Sequence, residues 1–339
     1  MRAIGSVLPF PLAEIAGPTE ASLWSAWTDA FTHHAAFETA RAALRALLAH
    51  DDVHRLWLPA YICAETMTAA PAGCEVRFYG DGPGLAFKGL TPGAGDAVLG
   101  VDYFGRGASE ILREMARARP EVLWIEDRAQ AMAPETPTWG EVVLYSPRKL
   151  IGVADGGLLV SDRLLPPSAV AATEPSAWTA ALARLDDPDG RHPERWSPVF
   201  RAREAAFRPD GGGMQPLTSA LLSRIAIAPL ADRRRANYVR LREGLADYAL
   251  WPDLPPDFTP LAFPVSVEDP ARTAAAMAEQ RIFCPRHWAH LPSPAAVFPG
   301  AHALAARQLS LPCDHRYDDA DMDRIAAALR AACAPDQPR

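Results

Sequence analysis

Apolar and polar positions in this chain alternate between two periods, one suited to buried strands and one to amphipathic helices. Val53–Leu58, Asp96–Tyr103, Val122–Ile125, Val142–Tyr145 and Leu158–Val160 are short, nearly continuous apolar runs, the pattern of strands covered on both faces of a sheet. Glu75–Tyr79 alternates and reads as a further strand. Helical spacing lies between these runs. Leu44, Leu47 and Leu48 share one face after Thr39, a plausible helix start. Ile62–Ala70 is helix-like, and Ser109–Arg119 is amphipathic, with Ile111, Leu112 and Met115 on one side. Strand and helix in alternation, joined by short connections, predict an α/β fold with a mostly parallel central sheet and helices on both faces.

The pattern changes after Asp162. Residues 163–209 are proline-rich and read as irregular helices around Trp178 and Trp196. Leu217–Leu230 reads as one apolar helix and Asp232–Leu245 as a long charged one. Thr259–Val267, Ala271–Gln280, Arg281–Trp288 and a last helix over Asp319–Cys333 have the mixed character of a small C-terminal α+β domain. The expected division is therefore a large domain over residues 1–235, with an N-terminal arm, and a small domain over 236–339.

Composition narrows the function classes. The chain's 339 residues, 49% hydrophobic and 22% charged, suffice for one large domain and a smaller one. A net charge of −7 argues against a nucleic-acid surface, so Arg233-Arg234-Arg235 reads as a solvated helix face. No apolar run is long enough to span a bilayer, and no secretory leader is apparent. The five cysteines are odd in number and none is at CxxC spacing, so neither a disulfide framework nor a metal site is expected. The expected compartment is the cytoplasm.

Candidate chemistry collects where strands stop. Tyr61, Asp102, Asp127 and Ser146–Lys149 each follow or end a strand-like run. In a parallel sheet those ends share one edge, which is where open α/β sheets bind ligands. An acid and a lysine held there suit pyridoxal phosphate, the lysine reaching its aldehyde and the acid its pyridinium nitrogen. The helix start at Thr39 could take a phosphate or be a plain N-cap.

With IEDRAQA at 125–131, Lys149 and Gly156-Gly157 in that order, the sequence resembles the DegT-type sugar aminotransferases, a family of fold-type I pyridoxal-phosphate enzymes. ETARAAL at 38–44, LPAYICAET at 58–66, GDAVLGVDYFG at 95–105, RRRANYVRL at 233–241 and LSLPCDHRY at 309–317 keep the family order, so the likeness spans about residues 36–332. The resemblance implies that Lys149 is the Schiff-base lysine and proton shuttle, and that Asp127 is the carboxylate on the pyridine nitrogen. It places Gln130 on the ring hydroxyl, Tyr61 against the ring, and Thr39, Ala40, Arg41 and Ser146 around the phosphate. It implies a homodimer with active sites at the subunit interface, moving an amino group from an amino acid, with glutamate expected, to a keto acceptor such as a nucleotide-linked keto sugar. Three departures stand out. Gly211-Gly-Gly-Met-Gln-Pro216 lacks the family's asparagine, Ser146-Pro-Arg-Lys149 is a shortened lead-in, and Asp102 replaces a histidine. A dehydratase or lyase of the same fold, or a non-catalytic relative, is the alternative. Lys149 weighs against dehydration, since family members that dehydrate sugars have histidine there.

Overall fold

The computed structural model describes residues 2–15, 21–132, 138–171, 174–251, 253 and 258–334. A short strand β1 (Ile4–Gly5) and helix α1 (Leu23–Thr28) precede β2 (His33–Phe37), α2 (Ala40–His50), β3 (Arg55–Pro59) and β4 (Glu75–Tyr79). Then come β5 (Asp96–Val101), α3 (Glu110–Ala118), β6 (Leu123–Asp127), β7 (Val142–Tyr145) and β8 (Gly157–Ser161). Among the described residues these strands form a seven-stranded sheet in the order β2-β8-β7-β6-β5-β3-β4. Strands β3 to β7 pair in parallel, as the apolar runs predict. The sheet is nonetheless mixed, because β8 runs antiparallel to β7 and β2 antiparallel to β8.

Alternation along each strand divides the core between two faces. Val142 and Leu144 pack with α2 residues Ala43, Leu44 and Leu47, whereas Val143 and Tyr145 pack with Leu23, Trp27 and Leu222 on the other side. Trp57, Val98 and Trp124 face α3, which buries Leu112 and Ala116. Ile111, expected on the same side, is instead 49% exposed. The inward stripe of α3 is the i, i+4 pair 112/116, one position along from Ile111.

Helices α4 (Thr179–Leu185) and α5 (Pro193–Ala206) occupy the proline-rich region, followed by α6 (Pro216–Leu222) and α7 (Ile227–Leu245). The apolar run Leu217–Leu230 is thus two helices and not one. Residues 225–227 are pulled into backbone bonds with residues 21–23, Leu23 N donating to Ile225 O and Ile227 N to Ala21 O. Pro229 follows in the first turn of α7, where a missing N–H costs nothing. The expected domain boundary at 235/236 falls inside α7.

The remaining chain adds β9 (Phe263–Ser266), α8 (Pro270–Glu279), β10 (Ile282–Phe283), α9 (Pro299–Arg307), β11 (Gln308–Leu311) and α10 (Asp319–Cys333). Antiparallel β9 and β11 pack against α7, α8 and α10 around Phe263, Val265, Leu309, Leu311, Met322 and Ile325. The N-terminal residues join this second core. Ile4 pairs in parallel with Ile282, Gly5 N donates to Tyr317 Oη at 2.7 Å, and Arg2 pairs with Asp321. No helix among the described residues is long and apolar enough to cross a membrane.

Candidate active site

Because β3, β5, β6 and β7 are parallel, their C-terminal ends lie along one edge. Antiparallel β8 brings its first residue, Gly157, to that same edge, and Phe37 at the end of β2 pairs with it. Tyr61, Asp102, Asp127, Ser146–Lys149, Gly156-Gly157 and Thr39 are therefore neighbours at one border of the sheet.

Asp127 closes β6. Its Oδ1 accepts from Ala129 N at 2.8 Å, and its carbonyl accepts from Asp102 N at 3.0 Å. Burial raises the pKa of its carboxyl, while the Lys149 charge and the Ala129 N–H pull it back. Glu126 and Arg128 leave the strand on the opposite side from Asp127. Arg128 Nε donates to Glu126 Oε1 at 2.7 Å and lies 3.4 Å from Asp102 Oδ2, all three side chains being buried. Glu126 Oε2 accepts from Trp139 N at 2.9 Å and Gly140 N at 3.1 Å. Arg128 also reaches Tyr145 Oη at 3.4 Å, and the Tyr145 ring stacks on Trp27 with centroids 4.9 Å apart. A buried ion network thus braces the strand end that carries Asp127.

Lys149 ends a single tight turn over Pro147–Lys149, and its side chain is exposed at the sheet edge. Its charge acts on Asp127 and also on the imidazole of His287, which burial and Lys149 together push down to about 4. Tyr61 Oη donates to His287 O and the Phe104 ring packs edge-on against the imidazole at 5.7 Å, so His287 lies against the residues that follow β3 and β5 at this edge.

The helix start is held against the sheet by the glycine pair. Thr39 caps α2, its Oγ1 accepting from Ala42 N at 3.0 Å. The N–H groups of Ala40 and Arg41, in the first turn, have no carbonyl within the helix to bond. Gly156 N donates to Glu38 O at 2.6 Å, and a Cβ on Gly157 would come within 2.2 Å of Thr39 C and 2.3 Å of Ala40 N. The pair thus lets the α2 N-terminus sit on the mouth of β8. Gly157→Ala should destabilise the protein by about 1–3 kcal/mol through overpacking and weaken retention of a phosphate ligand. Denaturant unfolding with and without pyridoxal phosphate measures both.

Other expected site residues are placed less simply. Ser146 is buried at the end of β7, beside Lys149. Gln130 is buried and its Oε1 accepts from Phe104 N at 2.7 Å, so it secures the loop after β5. Tyr61 has no exposed surface; its ring lies 5.7 Å from Tyr103 and 5.5 Å from Trp288, and its hydroxyl bonds to His287 O. In this arrangement neither face of Tyr61 is open to a ligand, and its hydroxyl holds the segment bearing His287 instead. Arg316 is paired with Asp314 through Nε at 2.7 Å and a second nitrogen at 2.9 Å. It lines a separate cavity of about 610 Å³ with Phe10, Arg184 and Leu230. Sequence reasoning gave no role to Arg203. It bonds Glu38 and Glu174, and the Phe207 ring lies within 5.0 Å of Arg203 and 4.5 Å of Arg148. No sequence spacing joins Arg203 on α5 to Glu38, so only the folded chain reveals the cluster beside the helix start.

The residues fit pyridoxal phosphate in their donor set: a strand-end acid, an exposed lysine near it, and a helix start drawn in by a glycine that admits no side chain. Tyr61 stands apart from that set, with no exposed surface in this arrangement.

No protein-family profile matches the chain, and no curated protein matches it. Solved structures do. A DegT DnrJ EryC1 StrS aminotransferase from Brucella abortus is 17% identical, over 90% of this chain and 87% of that one, with a TM-score of 0.63. S. venezuelae DesV, solved in complex with a ketimine intermediate, is 20% identical over 99% and 92%, with a TM-score of 0.65. DesI, solved in the presence of its TDP-sugar product, is 20% identical over 98% and 94%, with a TM-score of 0.60. The chain has the fold of these solved structures.

Proposed function

We propose that the protein is a pyridoxal-phosphate-dependent aminotransferase, passing an amino group from an amino acid, expected to be glutamate, to a keto acceptor of the nucleotide-linked sugar class. The observation that carries this reading is the meeting of Asp127 and Lys149 at one sheet edge, beside the α2 helix start. Support for the acceptor comes from the likeness to DesI, and for the amino transfer from the likeness to DesV.

When bound, the cofactor would supply a ring that takes up the electrons released as the substrate Cα–H bond breaks. The other steps belong to this chain. Asp127, fixed by the Ala129 N–H and half-buried, would hold a proton on the pyridine nitrogen. Ala40 and Arg41 N–H groups, with the α2 dipole and Ser146, would bind the phosphate. Lys149 would be the amine that anchors the cofactor and moves the substrate Cα proton, roles open to its exposed side chain. Gln130 contributes by fixing Phe104 and the loop that walls the site. Residues 1–235 would carry the cofactor, residues 236–339 would close over it, and the exposure of Lys149 in one chain suits a homodimer completing the site. The expected compartment is cytoplasmic. Light scattering on the purified protein tests the dimer.

Incubated with pyridoxal phosphate, the protein should acquire absorbance near the visible edge that borohydride fixes onto Lys149 and that glutamate removes. Cofactor bound but unchanged by every amino acid offered would favour the non-catalytic alternative. No binding at all would end the proposal.

A further inference from the structure

His287 is carried by the segment between β10 and α9, yet it lies against Tyr61 and Phe104 at the strand-end edge of the large sheet, and its hydrogen bonds fix which nitrogen carries the proton. The backbone N–H of His287 donates to Gln308 Oε1 at 2.9 Å. A backbone N–H can only donate, so this bond sets the Gln308 amide: Oε1 toward His287 and Nε2 toward Ser310. Gln308 Nε2 then donates to Ser310 Oγ at 2.7 Å. Ser310 is fully buried, and its hydroxyl proton needs an acceptor. His287 Nδ1, 2.7 Å away, provides one. Nδ1 is then the bare nitrogen, and the proton of the neutral ring sits on Nε2. Among the described residues Nε2 has no hydrogen-bond partner.

We infer that His287, locked as the Nε2–H tautomer by Gln308 and Ser310, offers an N–H at the strand-end edge of the sheet as the donor that recognises a carboxylate of the incoming amino acid. This rests on the aminotransferase reading for the identity of the substrate; the tautomer does not. A carboxylate is the class that suits this edge, because it carries the His287 N–H donor and, after β7, the exposed Lys149, and both favour an oxygen anion. Arg316 is bound to Asp314 and lines a different cavity. The ring is also held in place: Phe104 packs edge-on at 5.7 Å, and the His287 carbonyl accepts from Tyr61 Oη. Burial and Lys149 keep the imidazole neutral at working pH, so it recognises the anion by direction and not by charge.

The test uses the full chain without cofactor and then with pyridoxal phosphate. Long-range 15N correlation spectra, with His287 assigned from His287→Gln or His287→Phe, should show Nε2 protonated and Nδ1 bare, and Ser310→Ala should remove that preference. Glutarate, a dicarboxylate with no amino group to transfer, should shift the Nε2 proton. By calorimetry it should bind about tenfold more weakly to His287→Phe, while His287→Gln, which keeps a neutral N–H, should stay within about threefold of the parent. A proton on Nδ1, or a glutarate affinity that His287→Phe leaves unchanged, overturns the inference. Failure of the protein to take up pyridoxal phosphate, with the tautomer and the glutarate shift intact, would instead count against the aminotransferase reading and leave the carboxylate donor standing.

Discussion

Lys149→Ala protein, purified and supplied with pyridoxal phosphate, should show no absorbance at the visible edge and transfer amino groups at least about a thousandfold more slowly than the parent. The size of the loss follows from the double task of one amine, attachment of the cofactor and movement of the proton. The same substitution has an electrostatic signature. Lys149 lowers the pKa of both Asp127 and His287. Without it, the Asp127 carboxyl should titrate higher still, and the His287 imidazole should rise above about 4. Lys149→Arg separates the two roles: it should restore both titrations while leaving transfer abolished. Sustained transfer by Lys149→Ala, under single-turnover assay with cofactor present, would remove the aminotransferase reading.

The second large effect is on stability. Arg128→Met should destabilise the fold by about 3–5 kcal/mol at neutral pH, because it strands buried carboxylates without their cation. Glu126 keeps two backbone donors, Trp139 N and Gly140 N, and Asp102 Oδ1 keeps Ala108 N at 3.0 Å. Those dipoles soften the loss without replacing a full charge. Urea unfolding of both proteins at neutral pH measures this, and a loss below about 1 kcal/mol would contradict it.

The sheet was largely legible in the sequence. Val142–Tyr145 and Glu75–Tyr79 are strands over those same residues, since a turn or charged break closes each side. The direction of β8 was not legible. Leu158, Leu159 and Val160 are buried on both faces, and such a run looks the same whether its neighbour runs parallel or antiparallel. Strand β2 was hidden by His33 and His34, polar residues on the outermost strand next to β8. The apolar spacing of Leu217–Leu230 is continuous, and what divides it is a pairing with residues more than two hundred positions earlier. At the site, the acid and the lysine could be found because each ends a strand and family spacing ties them together. Tyr61 also follows a strand, but its surroundings are set by Trp288 and the His287 carbonyl, far along the chain. A residue whose role is decided by such distant partners leaves no local trace.

The pairing of β1 with β10 also dictates an order of events during synthesis. Ile4 precedes its partner Ile282 by 278 positions, and the Tyr317 hydroxyl that receives Gly5 N lies further along still. Until those residues have been made, a buried strand and Arg2, which pairs with Asp321, wait without their partners. The C-terminal core therefore cannot close in step with elongation.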